Sequence, residues 1–246
     1  MLYLLDTADV RAIARCMDLF PLAGVTTNPT LVAREKRPLL DLLTEIRSII
    51  GDRAMLHAQV MAPDAETMFR EAARLCDRFG PTLYPKLPVT QQGLKAIRLL
   101  ADAGFSVTAT AIAAPQQALL AARAGAAFTA PYVNRIDNNS GDGPGVVAQM
   151  VHLFSAFGLP TRVLAASFKN VQQVHAVAMA GAHAATMSPD LLEKVLAHPL
   201  TDSGVDGFNK DWAAAFGSGT TILDLIPAGR EPANHQRELA ATEKPS

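Results

Sequence analysis

One lysine of this sequence is surrounded by apolar residues and prolines. Lys86 lies in the segment LYPKLP, whereas a surface lysine normally has polar neighbours. Burial disfavours the charged form of an amine, and a neutral amine is a nucleophile for carbonyl carbon. Asp6, which ends another apolar segment, can hold or relay the proton. A lysine that extends from a strand end into solvent explains the pattern equally well, so the spacing leaves both interpretations open.

A second group of residues has the composition of a phosphate site. The segment SFKN supplies the hydroxyl of Ser167 and the cation of Lys169, and a helix is predicted to start at Val171. Backbone N–H groups and the dipole at a helix N-terminus favour an anion. Arg135 can reach the same anion as a bidentate donor. The alternative for Arg135 is a surface ion pair with Asp137; we favour the phosphate interpretation.

Short apolar segments alternate with amphipathic helical segments along the chain, which is typical of parallel βαβ units. Eight strands are predicted, at Leu2–Leu5, Ala23–Thr26, Met55–Val60, Leu83–Leu87, Ser106–Thr110, Ala127–Tyr132, Arg162–Ala166 and His183–Thr186. The first is followed by DTAD, which is not the glycine-rich turn of an open nucleotide-binding sheet. A chain of 246 residues with this pattern predicts an α/β fold, a TIM (β/α)8 barrel with a C-terminal helical extension.

Polar residues lie at or next to the end of each predicted strand. Barrel enzymes carry their functional groups at the carboxyl ends of the strands. In chain order these positions are Asp6, Thr26 to Asn28, Gln59, Lys86, Thr110, Tyr132, Ser167 and Thr186. We therefore expect these side chains to converge at one end of the barrel.

The helix pattern sets the expected domain boundaries. Thr7 is predicted to cap the first helix, and the last predicted helix is Val205–Phe216. Residues 1–216 are expected to form one barrel domain, followed by a glycine hinge and a tail that is disordered from Ala228. The apolar segment 222–226 either packs on the same barrel or contacts a neighbouring subunit, and the sequence favours neither.

Composition narrows the class of protein. Lys and Arg total 22 and Asp and Glu total 23, so no excess of positive charge predicts a nucleic-acid surface. No apolar segment approaches the roughly 18 residues of a membrane span. Cys16 and Cys76 lie in apolar helical patterns, and we expect them to be reduced core residues. Because the first residues are MLYLLD, without a basic leader, we expect a cytoplasmic protein.

Two further polar residues are expected inside the barrel. His57 lies two residues before Gln59 and Tyr84 two before Lys86, so each pair shares one face of its strand. On adjacent strands the two rings would lie one layer below the site. We predict a hydrogen bond between them, because buried polar groups need partners; the alternative is that water satisfies each ring.

Five segments of the chain together resemble the transaldolase family, and within it the fructose-6-phosphate aldolase branch. They are LAGVTTNP at residues 22–29, QV at 59–60, KLPVT at 86–90, APYVNRID at 130–137 and AASFK at 165–169. They occur in the family's order and at its spacing, and the resemblance extends from about Leu5 to Phe216.

The resemblance implies a role for most residues of the expected site. Lys86 corresponds to the Schiff-base lysine and Asp6 to the acid that contacts it. Thr26 and Asn28 correspond to donor-site residues, and Arg135 and Ser167 to the clamp for the phosphate of the acceptor aldehyde. The catalytic residues further include Gln59, Thr110 and Tyr132, which would hold the water that shuttles protons. No metal and no cofactor are implied.

By this resemblance we expect a Schiff-base aldolase that reversibly cleaves fructose 6-phosphate, or a similar ketose phosphate, into dihydroxyacetone and glyceraldehyde 3-phosphate. The resemblance also implies a ring-like homo-oligomer. One alternative is a transaldolase, in which the enamine waits for a second aldehyde. Only Gln59 and Tyr132 distinguish the aldolase from the transaldolase: transaldolases have Glu at the first position and commonly Phe at the second. Another alternative is a sugar-phosphate-binding barrel without catalysis.

The chain departs from the family at two places. Pro85 precedes the lysine where the family usually has a β-branched residue, and a proline removes a hydrogen bond from a central strand. Either the ladder skips there or the strand bulges and re-aims Lys86. After Thr110 the segment AIAA lacks bulky groups, which predicts a roomier acceptor pocket.

Overall fold

A computed structural model describes residues 1–227 of the chain. The eight strands are β1 Leu2–Asp6, β2 Gly24–Thr26, β3 Met55–Gln59, β4 Leu83–Pro88, β5 Thr108–Ile112, β6 Phe128–Pro131, β7 Arg162–Ala165 and β8 Ala184–Met187. They pair in chain order, all parallel, and β8 pairs with β1 to close a barrel. The predicted TIM barrel is therefore confirmed, with strand ends within two residues of those expected.

Twelve helices lie within the described residues. They are α1 Val10–Leu19, α2 Pro29–Arg34, α3 Leu39–Ile50, α4 Ala65–Phe79, α5 Gln91–Asp102, α6 Pro115–Arg123, α7 Val133–Asp137, α8 Gly143–Ala156, α9 Val171–Met179, α10 Pro189–Leu196, α11 Pro199–Phe216 and α12 Ile222–Leu225. Most of the buried apolar side chains form two clusters that include residues of both strands and helices. The outward faces of the strands are thus covered by helices, as a parallel sheet requires.

The N-cap of the first helix lies two residues later than the sequence pattern suggested. Asp9, not Thr7, is its N-cap, and the Asp9 carboxylate accepts hydrogen bonds from the N–H groups of Arg11 and Ala12. The predicted Thr7 cap is therefore wrong. Thr7 instead accepts a hydrogen bond from Asp9 N through its hydroxyl, so it supports the residue that caps the helix.

The lower layer of the barrel interior contains His57 and Tyr84, as predicted, but their contact differs. The two residues are register partners of β3 and β4, and their rings stack with centroids 4.8 Å apart and planes 14° apart. The predicted hydrogen bond between them is wrong, because adjacent parallel strands place the rings face to face. His57 Nδ1 lies 2.9 Å from Thr108 Oγ1 on β5, and both rings contact Phe128 edge-on.

Pro85 does not distort the strand that carries the lysine. The β3–β4 register is continuous, with Ala58 opposite Pro85 and Gln59 opposite Lys86. Because Val60 N donates to Lys86 O, the alternation of a parallel ladder turns the nitrogen of Pro85 toward β5. That neighbour begins only at Thr108, opposite Lys86, so the missing N–H removes no bond of the β4–β5 ladder. The bulge considered from the sequence is absent from β4.

Within the described residues the chain divides into two compact units, residues 1–196 and residues 197–227. In the second unit α11 begins at Pro199, earlier than the predicted Val205, because His198 caps it and proline suits its first turn. Trp212 Nε1 donates to Thr220 O at 2.7 Å. The predicted disorder from Ala228 lies outside the described residues, and the hinge at residues 217–219 stays a prediction. None of the helices within residues 1–227 is long and apolar enough to cross a membrane.

The stacked histidine gives a prediction about stability. Burial, together with the positive charges of Lys86 and Arg162, lowers the pKa of His57 well below the ordinary 6.5. Below pH 6.5 the unfolded chain binds a proton at His57 that the folded chain does not bind. Stability that is present above pH 6.5 is therefore lost as the pH falls toward the pKa of His57 in the folded chain. The loss is at most about 1.4 kcal/mol per pH unit for one proton.

We expect the double variant His57→Phe with Thr108→Val to lose less stability on acidification than the parent chain. The double change removes both hydrogen-bonding partners, so neither is left buried and unpaired. Urea unfolding at about pH 7.5 and about pH 5 measures the difference. His183, whose pKa is also lowered, is present in both proteins and largely cancels. An equal loss in both proteins would contradict the prediction.

Candidate active site

A polar cavity of about 330 Å³ opens at the carboxyl ends of the strands. Its lining consists of Asp6, Asn28, Pro29, Thr30, Gln59, Lys86, Thr110, Tyr132, Arg135, Ala166 and Ser167. Eight of the ten predicted site residues are in this lining, and the exceptions are Thr26 and Lys169. Thr30, at the start of α2, was not foreseen; the signal for it was the helix start NPT, in which Pro29 marks the first turn.

Lys86 is buried inside the barrel, with 7% of its surface exposed. Its Nζ donates a hydrogen bond to the carbonyl oxygen of Thr27 at 2.8 Å. Burial lowers the pKa of Lys86, and the negative charge of Asp6 opposes that shift. The lysine therefore does not extend into solvent, and its environment favours the neutral, nucleophilic form of the amine.

Asp6 is held on the neighbouring side of the cavity by a chain of hydroxyl groups. Thr26 Oγ1 donates to Asp6 Oδ1 at 2.7 Å and lies 2.7 Å from Thr186 Oγ1. Because the proton of Thr26 goes to the carboxylate, Thr186 donates to Thr26. Burial raises the pKa of Asp6, whereas Lys86, the Thr26 hydrogen bond and Arg135 lower it. Thr26 is thus a support behind Asp6 and does not line the cavity.

The amine and the carboxylate share the cavity without direct contact. Among residues 1–227 the ion pairs within 4.0 Å do not include Lys86 and Asp6. A proton that moves between them therefore needs a water or a substrate hydroxyl as carrier. Each group, by its opposite charge, limits the shift that burial causes in the other.

Three polar residues come from strands close to the lysine: Gln59 from β3 and Thr110 from β5, which both pair with β4, and Tyr132 from the end of β6. Gln59 ends β3, and Tyr132 forms a bridge with Ala166 one residue beyond β6 and β7. The register between β5 and β6 shifts between Ala109 and Ile112, and this irregularity lies beside Thr110. A shift of this kind re-aims side chains at the rim of a barrel. The amide, the hydroxyl and the phenol can hold a water and transfer its protons.

Arg135 lies on α7 and Ser167 on the loop after β7, and both line the cavity. The guanidinium of Arg135 lies over the ring of Tyr132, 4.2 Å from its centre. The surface ion pair with Asp137 does not form, since the described ion pairs do not include it. Ser167 has a φ of 62°, in the left-handed region. Lys169 is exposed and its side chain does not line the cavity.

Asn28 provides a polar group beside the lysine while it caps a helix. Its side-chain oxygen accepts a hydrogen bond from Leu31 N at 3.0 Å, which leaves the NH₂ group for a ligand. Within residues 1–227 no group of three or more His, Cys, Asp or Glu side chains is arranged to hold a metal ion. The residues of the cavity are suited to hydrogen-bonding hydroxyl groups and an anion.

The chain is similar to known proteins in sequence and in fold. A family model described as Transaldolase/Fructose-6-phosphate aldolase matches residues 3–219. A solved structure described as "Native KDPGal structure" is similar over 77% of this chain and 82% of that chain, with 18% sequence identity and a TM-score of 0.53. At that identity the structural likeness supports the barrel fold alone.

The hydroxyl chain behind Asp6 gives a second prediction. Thr26→Val removes the O–H donor from the ionised carboxylate, so we expect the pKa of Asp6 to rise further. Carboxyl-carbon NMR titration of protein labelled at aspartate measures the change, and Asp6→Asn identifies the signal. Thr186→Val is the matched control, because Thr186 contacts Thr26 and not Asp6. An unchanged titration in Thr26→Val, or an equal rise in the control, would contradict this.

Proposed function

Because this chain belongs to the transaldolase/fructose-6-phosphate aldolase family, we propose that it is a Schiff-base aldolase. The reaction is the reversible cleavage of fructose 6-phosphate, or a similar ketose phosphate, into dihydroxyacetone and glyceraldehyde 3-phosphate. The observation that carries the proposal is the buried amine of Lys86, whose pKa is lowered by burial and which opens on a polar cavity. No metal takes part.

The chemistry begins with the neutral amine. Nζ of Lys86 adds to the ketone carbon, and loss of water gives a protonated Schiff base. The bond between the third and fourth carbons then breaks, and its electron pair moves into the Schiff base to give an enamine. The hydroxyl of the fourth carbon passes its proton to the water held by Gln59, Thr110 and Tyr132 as the aldehyde leaves, and the same relay later protonates the enamine. Protonation of the enamine and hydrolysis release dihydroxyacetone and restore the amine.

The other residues of the cavity handle protons and bind hydroxyl groups. Asp6 takes and returns the proton during addition and loss of water, through a carrier, because it does not touch Nζ. Tyr132 protonates the enamine through a water held with Gln59 and Thr110. Asn28 hydrogen-bonds the hydroxyls of the donor. With an amide at Gln59 in place of a carboxylate, the phenol of Tyr132 is the acid available on that side, which supports release of the ketone.

Phosphate recognition is proposed for α7 and the loop after β7, which carry Arg135 and Ser167. Arg135 and Ser167 bind the phosphate of the acceptor, since a guanidinium and a hydroxyl donate to phosphate oxygens. Their position at the cavity edge supports this assignment. Lys169, which is exposed, attracts the anion from solvent. The small side chains around Ala111, which is itself exposed, are compatible with a wide acceptor.

Reductive trapping tests the covalent step. With dihydroxyacetone and borohydride we expect an adduct on Lys86, located by mass spectrometry. Lys86→Met abolishes the adduct and lowers cleavage of fructose 6-phosphate by at least about a thousandfold, because the nucleophile is gone. Lys95→Met is the matched control, since Lys95 is exposed on α5, and keeps both. Absence of any adduct in the parent chain favours a binding protein without catalysis.

The same assay separates the aldolase from the transaldolase. Fructose 6-phosphate is supplied alone, and glyceraldehyde 3-phosphate is measured. Release on every turnover is expected, because the enamine is protonated and the lysine is freed. A reaction that stops after one equivalent per active site, and resumes when an aldose phosphate is added, would assign the transferase activity instead.

We also propose a homo-oligomer in the cytoplasm. The segment Ile222–Ile226 exposes its apolar side chains within the described chain, Leu223 by 84%, and a surface of this kind favours a protein contact. The free thiols of Cys16 and Cys76 suit a reducing compartment.

Sedimentation tests the proposed oligomer. We expect the parent chain to sediment well above its 26.1 kDa monomer mass, and Leu223→Asp to shift it toward the monomer, because a charge is costly in an apolar interface. Leu19→Asp is the control, since Leu19 is an exposed leucine of the barrel unit. A monomeric parent chain, or equal effects of the two variants, would count against the contact.

A further inference from the structure

One buried amide outside the cavity is hydrogen-bonded both to the helix that carries Arg135 and to the loop that carries Ser167. We define the anion clamp as Arg135 and Ser167. Gln173 lies on α9 with 8% of its surface exposed and does not line the cavity. We propose that Gln173 is a positioning residue, which holds the anion clamp in the geometry that binds a phosphate group. The proposal rests on the proposed function, since it concerns the phosphate-bearing acceptor.

The nitrogen of the amide holds the helix that carries Arg135. Gln173 Nε2 donates to Asp137 Oδ2 at 2.6 Å and lies 3.3 Å from Asn134 Oδ1. These residues flank Arg135 on α7, a helix of five residues. A helix of that length is not stable by itself, and its position depends on tertiary contacts. Gln173 supplies such contacts on both sides of the guanidinium-bearing residue.

The oxygen of the same amide holds the loop that carries Ser167. Gln173 Oε1 accepts a hydrogen bond from Lys169 N at 2.7 Å, and Gln173 N donates to Asn170 Oδ1 at 2.9 Å. Ser167 has a left-handed backbone, with φ of 62°. Residues other than glycine adopt this conformation when their surroundings hold them in it. The loop also joins α7 directly, because Asn134 N donates to Ser167 O at 2.7 Å.

Asp137, the last residue of α7, is hydrogen-bonded at both oxygens of its carboxylate. Asp137 accepts from Gly143 N at 2.7 Å through Oδ1 and from Gln173 through Oδ2. Both carboxylate oxygens are therefore engaged. The carboxamide of Gln173 donates through its nitrogen and accepts through its oxygen. A carboxylate at position 173 could not donate to Asp137 and would repel its charge.

The test compares acceptors with and without phosphate. Gln173→Met keeps the shape of the side chain but makes no hydrogen bond. In the addition of dihydroxyacetone we expect KM for glyceraldehyde 3-phosphate to rise about tenfold with kcat unchanged, because the lost bonds orient an anion site. KM for unphosphorylated glyceraldehyde stays as in the parent chain. Gln172→Met, at an exposed position of the same helix, is the matched control and changes neither constant.

Asn134→Ala and a binding measurement keep the test decisive if Gln173→Met folds poorly. Asn134→Ala removes one of the three contacts of the Gln173 side chain and should raise the same KM by a smaller factor. Calorimetric titration with glycerol 3-phosphate, which carries the anion without an aldehyde, should show weaker binding in Gln173→Met and unchanged binding in Gln172→Met. Trapping of dihydroxyacetone on Lys86 should remain at the parent level in every variant.

Two outcomes would overturn the positioning role. One is equal KM values for glyceraldehyde 3-phosphate in Gln173→Met and the parent chain. The other is a parallel loss for both acceptors and for trapping, which indicates a structural role only. Failure of the proposed function is distinguishable, because then the parent chain itself neither forms the adduct nor cleaves the ketose. In that case glycerol 3-phosphate binding alone decides the role of Gln173, and equal binding by parent and variant overturns it.

Discussion

The structure depends on an amine held away from water at the end of a barrel. Burial lowers the pKa of Lys86 and raises that of Asp6, so both groups are pushed toward their neutral forms. The charge of each group partly offsets the pKa shift of the other. The carbonyl oxygen of Thr27 accepts a hydrogen bond from the amine. The two shifts bring the pKa values of the amine and the carboxyl group closer together, which favours proton transfer between them through a carrier.

The closed barrel is what keeps such groups buried and still reachable. The pairing of β4 with β3 and β5 fixes the height of the lysine, with Gln59 and Thr108 as its register partners. Below it the stacked rings of His57 and Tyr84 fill the interior. The amine therefore has apolar and aromatic neighbours on one side and a polar cavity on the other. That asymmetry lowers its pKa without closing it off from a substrate.

Much of this architecture could be predicted from the sequence, since it follows from periodicity. Eight apolar segments, which alternate with helical patterns, predicted the strands. The polar residues at the strand ends predicted most of the cavity lining. The errors concern choices between nearby partners. His57 bonds to Thr108 because β5 brings a hydroxyl closer than the phenol of Tyr84, and no pattern within one strand reveals a neighbour's register. Asp9 caps α1 in place of Thr7, a difference of two residues that spacing does not resolve.

The two sides of the cavity are built differently, and this explains what the sequence missed there. Lys86, Asp6 and Gln59 leave strands whose backbones are fixed by the ladder, so alternation predicts where they point. Arg135 and Ser167 leave a five-residue helix and a loop, whose positions depend on side-chain hydrogen bonds such as those of Gln173. Periodicity carries no information about bonds of that kind. The covalent chemistry proposed for Lys86 is thereby tied to the sheet, whereas the acceptor site proposed at Arg135 and Ser167 depends on a short helix and a loop.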